Sequence, residues 1–452
     1  MKQLQYVVAL ICLLGLSACN QFLDKKQDIK MVVPQSIEDA THLLNDYGTM
    51  NMGYPIWGEL GVDDYYNSKV VWESATEDQR NTYLWRDRPY TDVTQWQRPY
   101  KAVYYANQTM DILSKVDADQ DRANFNRNLG SAYFFRAFVF QLLTEVHCPA
   151  YQASAASSEL GIPLRLSPGV DDGSTRATLE QTYDQILKDF KEAVRYLPVN
   201  ESVRGRPSKA AAYGGLARTY LNMGDFTNAY RYADSCLRLA PELMDYNTLK
   251  ATDEYPVKRF NVEVLLPISS VSAGLMSGTN AMVDRDLYSS YAADDMRKVV
   301  FFRPSLNQVG DFFFKGGYGE NAFELFMGIT NSEIYLVKAE TATRIGKIPE
   351  ALLALNTLRK SRWKKEVVYP IITETDPERL LKTVLEERRK ELVFRGRRWA
   401  DLKRLNLDDR FKKTLNRQLD GEQYVLPAGD LRYAFRLSET LVSIGGIPQN
   451  KR

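Results

Sequence analysis

Apolar and polar positions alternate along most of this chain with the period of a helix. Between Tyr213 and Pro241, large side chains recur at Tyr213, Leu216 and Tyr220, and small ones at Ala217, Ala229 and Ala233. Large residues at that spacing share one helical face, and small ones let a second helix approach closely. Gly224-Asp225 marks the turn between the two helices and Pro241 closes the second. A second copy runs from Asn331 to Arg362, with Tyr335 and Ala339 in its first helix, Gly346-Lys347 at the turn, and Ala351, Leu355 and Leu358 in its second. This is the tetratricopeptide spacing. Thr94 to Val116 and Asn124 to Val146 predict a further antiparallel pair, and Leu179 to Tyr196 a helix packing before the Tyr213 repeat.

The sum is a mostly α chain: a tetratricopeptide-like helical solenoid scaffold of three or four pairs, whose units bury their cores by stacking. Helix pairs are expected over about 94–146, 179–241 and 331–362. Two long stretches, Gly53 to Tyr90 and Val262 to Gly319, carry no clear period and are rich in Gly, Asp and aromatic residues. They read as irregular loop insertions carrying the ligand surface, since loops of this length in a compact domain are commonly functional.

The N-terminal pattern differs. Lys2 precedes an apolar run from Tyr6 to Leu16 that is too short to span a bilayer, which predicts a signal peptide over 1–18. Leu16-Ser17-Ala18-Cys19 has the form of a bacterial lipobox, so Cys19 is the expected lipid attachment site and the mature chain, 19–452, is expected as a single tethered domain. Asn20, rather than Asp, after that cysteine points to sorting to the outer membrane.

Charge and chemistry narrow the function mainly by exclusion. With 59 basic and 57 acidic residues in 452, no overall field attracts nucleic acid. Cys148 and Cys236 are the cysteines left to the fold; Cys236 lies on an apolar helical face, and the pair reads as two buried thiols or one disulfide. His42 and His147 are the only histidines, which starves a histidine metal site or a Ser-His-Asp triad, and His147 before Cys148-Pro149 reads as a helix end. Gly316-Gly317-Tyr318-Gly319 lacks the spacing and Lys-Ser/Thr ending of a phosphate loop. Asp63, Asp64 and Asn67 are calcium-type ligands without EF-hand spacing, and read as a solvated turn. Glycosidase carboxylates, about 5 to 9 Å apart, have no fixed spacing to find in a sequence. No enzyme, metal or cofactor is expected.

The densest signal is LLKTVLEERRKELVFRGRRWADLKRL, Leu380 to Leu405. Asp376 is the expected N-cap and Pro377 the first helical residue. Charges from Glu386 to Glu391, flanked by Leu385, Leu392, Phe394 and Trp399, must pair between helices. The run from Glu387 to Arg404 resembles the hallmark of the SusD/RagB family of outer-membrane nutrient-binding lipoproteins. Similar likenesses lie at Phe22-Leu23-Asp24 after the lipobox, Asp63-Asp64-Tyr65-Tyr66, Trp96 to Asn107, Ala351 to Arg362, Tyr424 to Pro427 and Gly446 to Asn450. The tail departs from the family pattern at Ile447-Pro448, where a Gly usually precedes Gln-Asn.

The resemblance implies a cell-surface, lipid-anchored protein of the outer membrane that captures a nutrient, most simply a glycan or oligosaccharide, for a SusC-like TonB-dependent transporter. RagB-like peptide capture and a tetratricopeptide scaffold without a small ligand are the alternatives. It also implies a structural role for Glu387 to Arg404 and a family C-terminal helix and tail over 376–452. Sugar rings stack on exposed aromatic faces while polar neighbours bond the hydroxyls. The candidate ligand residues are therefore Trp57, Tyr65, Tyr66, Trp72 and Trp85, set among Asn67, Glu73, Asp78 and Arg80. Tyr288, with Tyr291 and Tyr318, is placed to complete the platform from the second insertion, whereas Trp96 and Trp399 read as helix-packing residues.

Overall fold

Helix after helix packs on its predecessor. In the computed structural model, which describes residues 34–169, 175–306 and 308–452, the longer helices are α1 (Ile37–Asn45), α2 (Thr94–Leu113), α3 (Arg122–His147), α4 (Leu179–Tyr196) and α5 (Lys209–Met223), then α6 (Phe226–Leu239), α7 (Asn331–Arg344), α8 (Ile348–Lys360), α9 (Pro377–Glu391) and α10 (Arg398–Leu405). The expected signal peptide, Cys19 and Asn20 lie outside the described residues. From α2 to α8 each helix packs on the next, with α7 against α6 across the second insertion, and α9 adds to α7. This is the predominantly α, solenoid-like arrangement expected, with its insertions. No helix among the described residues is long and apolar enough to cross a membrane.

Local chemistry sets the helix ends. The Asp376 carboxylate accepts from the Arg379 N–H at 2.8 Å, and Pro377 opens α9, as the sequence predicts. Gly224, at φ 76°, ends α5 in the left-handed region, and the Asp225 side chain then caps α6. On α5, a Cβ at Gly215 would lie 2.5 Å from the Phe190 ring, so glycine is what lets α4 approach. Every residue of α3 from Phe134 to His147 is buried, which makes it a helix enclosed by its neighbours rather than an amphipathic one. His147 ends it, and burial lowers its imidazole pKa to about 4, so the ring is neutral. Cys148 and Cys236 are both free, buried thiols.

The two insertions are less irregular than the sequence suggests. The first contains β1 (Tyr65–Tyr66) and one-turn to two-turn helices at Trp57–Leu60, Lys69–Glu73 and Glu77–Tyr83. Two short antiparallel pairs lie nearby in the chain, β2 (Leu160–Pro163) with β3 (Arg176–Thr178) and β4 (Val264–Leu266) with β8 (Ile329–Thr330). The second insertion contributes β5 (Met282–Val283), β6 (Phe302–Pro304) and β7 (Phe312–Phe314). These join β1 in one antiparallel sheet, in the order β1-β5-β7-β6, so segments more than two hundred positions apart share a sheet. Such strands of two or three residues are too short to leave a period in the sequence. Near the C-terminus, β9 (Leu415–Leu419) and β10 (Glu422–Leu426) form a hairpin. Its Asp420-Gly421 turn has both φ angles positive, the geometry that matches strand twist.

The Glu387 to Arg404 motif is the junction of these parts. Arg297 bonds Glu391 at 2.9 Å and Glu387 at 2.5 Å, and Arg362 bonds Glu391 and Glu263 at 2.8 Å, all essentially without solvent exposure. Arg388 pairs with Asp401, Arg397 with Glu145 of α3, and Arg404 with Glu340 of α7. Between the helices, Phe394 and Gly396 take positive φ, and Trp399 stacks on Phe435 at 4.8 Å.

A candidate ligand groove between the first insertion and the C-terminal hairpin

The structure divides the five candidate rings of the first insertion into two sets. Trp57, Tyr65 and Trp85 are only 3, 3 and 2% exposed. Trp57 packs on Tyr90, the Tyr65 hydroxyl donates to the Leu60 carbonyl at 2.9 Å, and the Trp85 indole donates to the Gly61 carbonyl at 2.8 Å. Arg417 lies over the rings of Tyr65 and Trp85. An insertion this long needs a core of its own, and these rings supply it; in this conformation they offer a ligand no face. Tyr291 and Tyr318 of the second insertion are likewise buried, with the Tyr291 hydroxyl donating to the Lys390 carbonyl and that of Tyr318 to Glu263. Tyr66, Trp72 and Tyr288 keep partly exposed surfaces.

A groove of about 900 Å³ has walls from residues 84–88, the hairpin strand β10 and the loop after it, and Trp72 adjoins it through Arg86. Arg86 lies over Trp72 and over Tyr424, 5.4 Å from each ring centre, and donates to the Tyr424 hydroxyl at 3.2 Å. Arg80 lies over Trp72 at 5.6 Å, and its backbone carbonyl accepts from the indole N–H. Trp85 holds a positive φ of 53°, rare for a bulky residue; this bend turns the chain from the buried ring to the exposed run Arg86-Asp87-Arg88. Arg432 ties the walls together by donating to the Trp85 and Val425 carbonyls. Hydrogen bonds from Arg436 hold the Asp87 carboxyl below its usual pKa, and those from Arg432 do the same for Asp430. Tyr424, Arg86 and Arg88 escaped sequence reasoning. Only the aromatic content of the hairpin hinted at Tyr424, and nothing local marked the arginines.

Tyr66 and Tyr288 lie elsewhere, at the four-stranded sheet. The Tyr66 hydroxyl donates to Asp311 at 2.6 Å, which also accepts from Arg285 at 2.8 Å. Burial and that carboxylate raise the Tyr66 pKa to about 12. Tyr288 stacks on Phe312 with centroids 3.6 Å apart, beneath the Lys298 ammonium. The sheet thus brings one ring from each insertion into the same structural unit, although Trp72 is not part of it.

The acids considered for calcium are committed to cations of the motif. Asp63 bonds Arg398 at 2.8 Å and Lys413 at 2.6 Å, while Asp64 bonds Arg389 at 2.8 Å. Burial alone would raise the Asp63 pKa, but Arg398, Arg389 and Lys413 outweigh it and hold the group well below the usual range. The Asn67 amide donates to the Leu275 and Asn280 carbonyls. Among the described residues, no group of three or more His, Cys, Asp or Glu side chains is arranged to hold a metal.

The helical scaffold thus carries a groove between its first insertion and the C-terminal hairpin. Comparison with known proteins assigns the chain to a family. A family model described as starch-binding and associating with the outer membrane matches residues 21–221, and the SusD family model matches 331–436. Together they take in more than half of the chain, which belongs to the SusD/RagB family. SusD-like protein P2 of Formosa agariphila is 23% identical over 369 residues, spanning 69% of this chain and 71% of that protein. A SusD superfamily protein from Bacteroides thetaiotaomicron superposes with a TM-score of 0.75 at 22% identity, covering 92% of this chain and all of that one. A SusD-like carbohydrate binding protein from Bacteroides vulgatus gives 0.69 at 16% identity, over 91% of this chain and 96% of that one. At these identities the superpositions establish the fold.

Proposed function

We propose that the mature chain, one functional unit from Cys19 to Arg452, is held at the outer membrane by lipid on Cys19 and captures a glycan or oligosaccharide at the cell surface for a SusC-like TonB-dependent transporter. Family membership supports the nutrient-capture role, and the family model's starch-binding description favours a sugar over a peptide. The observation that carries the site is the groove beside Trp72 and Tyr424. Tyr424 lines it and Trp72 adjoins it through Arg86, which sets aromatic rings beside polar donors. Tyr66 and Tyr288, partly exposed at the four-stranded sheet, are the secondary candidates, and the buried Trp57, Tyr65 and Trp85 serve as core of the insertion. The reading requires no bond to be broken.

The test is binding of the full-length chain, in detergent, to a panel of soluble polysaccharides and oligopeptides. One glycan class is expected to bind, and Trp72→Ala to weaken it about tenfold through loss of a stacking face. Binding confined to oligopeptides would overturn the sugar assignment. Failure to bind any member would remove the capture reading and leave a scaffold role. Copurification of a TonB-dependent barrel with the native chain tests the partner.

A further inference from the structure

The groove carries more positive charge than its own acids can neutralise. Of its lining residues, Arg86, Arg88, Arg432 and Arg452 are basic, and Asp87 and Asp430 acidic. Both acids are taken: Asp87 by Arg436 and Arg452, and Asp430 by Arg432. Among the described residues, no carboxylate lies within ion-pair distance of Arg80, Arg86 or Arg88. Glu422 on the hairpin accepts from the Tyr424 hydroxyl, and Lys69 is paired with Asp420 and Glu73. This excess is local, because the chain as a whole is nearly balanced at a net charge of +2.

We infer that the groove binds an anionic glycan, one whose sugar units carry carboxylate or sulfate groups. The inference rests on the glycan-capture reading above and names its substrate class. Arg86 is the central residue. It lies 5.4 Å from the ring centres of both Trp72 and Tyr424 and donates one side-chain hydrogen bond, to the Tyr424 hydroxyl, so most of its N–H groups remain open to a ligand. A guanidinium held in this way has lost much of its side-chain freedom before a ligand arrives, and its fork geometry matches a carboxylate or a sulfate. Arg80, over the same indole, and Arg88, along the wall, place further unpaired cations beside it. A neutral sugar would cover these charges without answering them, which costs desolvation. An acidic peptide would answer them but would make less use of ring faces, which suit the C–H faces of pyranoses.

The experiment compares affinities of the full-length chain in detergent for polygalacturonate, a sulfated galactan, soluble starch and poly-glutamate, at low and high salt. A carboxyl-reduced polygalacturonate serves as the uncharged control on the same backbone. Binding to the carboxylated or the sulfated polymer, and not to starch, is expected, and which of the two binds identifies the anion. The affinity should fall as salt rises, and Arg86→Gln and Arg88→Gln should each weaken it about tenfold. If polygalacturonate is the ligand, carboxyl reduction should abolish binding. Salt-insensitive binding to starch, lost in Trp72→Ala but retained in both arginine variants, would overturn the inference while leaving glycan capture intact. Binding only to poly-glutamate would overturn it in favour of an acidic peptide. No binding to any polymer would overturn both readings. Both arginines are exposed, so circular dichroism of the variants should match the wild type.

Discussion

Arginine does two opposite things in this molecule. At the α9–α10 junction, Arg297, Arg362, Arg388 and Arg397 are buried, and each meets one or more carboxylates. At the groove, Arg86 and Arg88 are exposed and meet none, and Arg86 is held by rings instead. Taking a guanidinium out of water is costly, and these four offset that cost with counter-charges, whereas Arg395 of the same junction is buried over the Tyr318 ring, 3.8 Å from its centre, with no carboxylate of the described residues in ion-pair range. An exposed guanidinium bears little such cost and stays available to an incoming anion. The difference teaches that residue type alone does not set what an arginine does; burial and the partners it finds do.

The largest expected effect comes from breaking the saturated side. Arg362→Met would leave Glu391 and Glu263 with one fewer cation in a solvent-free site, and should lower unfolding free energy by about 3–5 kcal/mol in denaturant titration. A loss below about 1 kcal/mol would mean that these charges are far better hydrated than their burial implies.

Gly396→Ala should cost about 1–3 kcal/mol. Its φ is 71°, and an added Cβ would lie 2.7 Å from the Met327 sulfur. Thermal unfolding reads this directly, and an unchanged midpoint would show that the turn between α9 and α10 can relax.

A third test concerns Glu59, a buried acid beneath the same junction. Burial, then the Asp64 charge, raise its carboxyl from 4.5 to about 8 against the pull of Arg397. A carboxyl raised on folding favours the protonated native state. Its contribution is therefore fully present below about 4.5 and is lost as pH rises through about 8. Glu59→Gln should remove that part of the pH dependence and make the protein more stable than wild type at the upper end of the range. Parallel pH–stability curves for the two proteins would refute the assignment.

The smallest stability effect belongs to the open side. Arg86→Gln and Arg88→Gln should each change unfolding free energy by less than about 1 kcal/mol, since neither breaks an ion pair and Arg86 gives up only exposed ring contacts and one bond to a hydroxyl. A cost near that of Arg362→Met would erase the contrast between the two regions.

Much of the scaffold was legible beforehand. The α5–α6 and α7–α8 pairs, the Asp376 cap and the end of α3 at His147 follow from patterns within a few residues of each site, where 3.6-residue periodicity and capping chemistry operate. The Glu387 to Arg404 run could be read as an interface because so many charges interleave with Leu and Trp. The site was legible only as a region. Trp57, Tyr65, Tyr66, Trp72 and Trp85 look alike in sequence, and nothing local distinguishes the buried Trp85 from the half-buried Trp72.

The sequence by itself determined the helices, their repeat pairing, the family motif and the location of the aromatic insertions, because each is written in short-range spacing. Tertiary structure decided which rings face solvent, that β1 joins strands from the second insertion, and which arginines find a carboxylate. Arg398 meets Asp63 across 335 positions, and Arg86 meets Tyr424 across 338. Contacts over such separations depend on how the whole chain packs, and exposure and charge pairing are properties of that packing rather than of any segment.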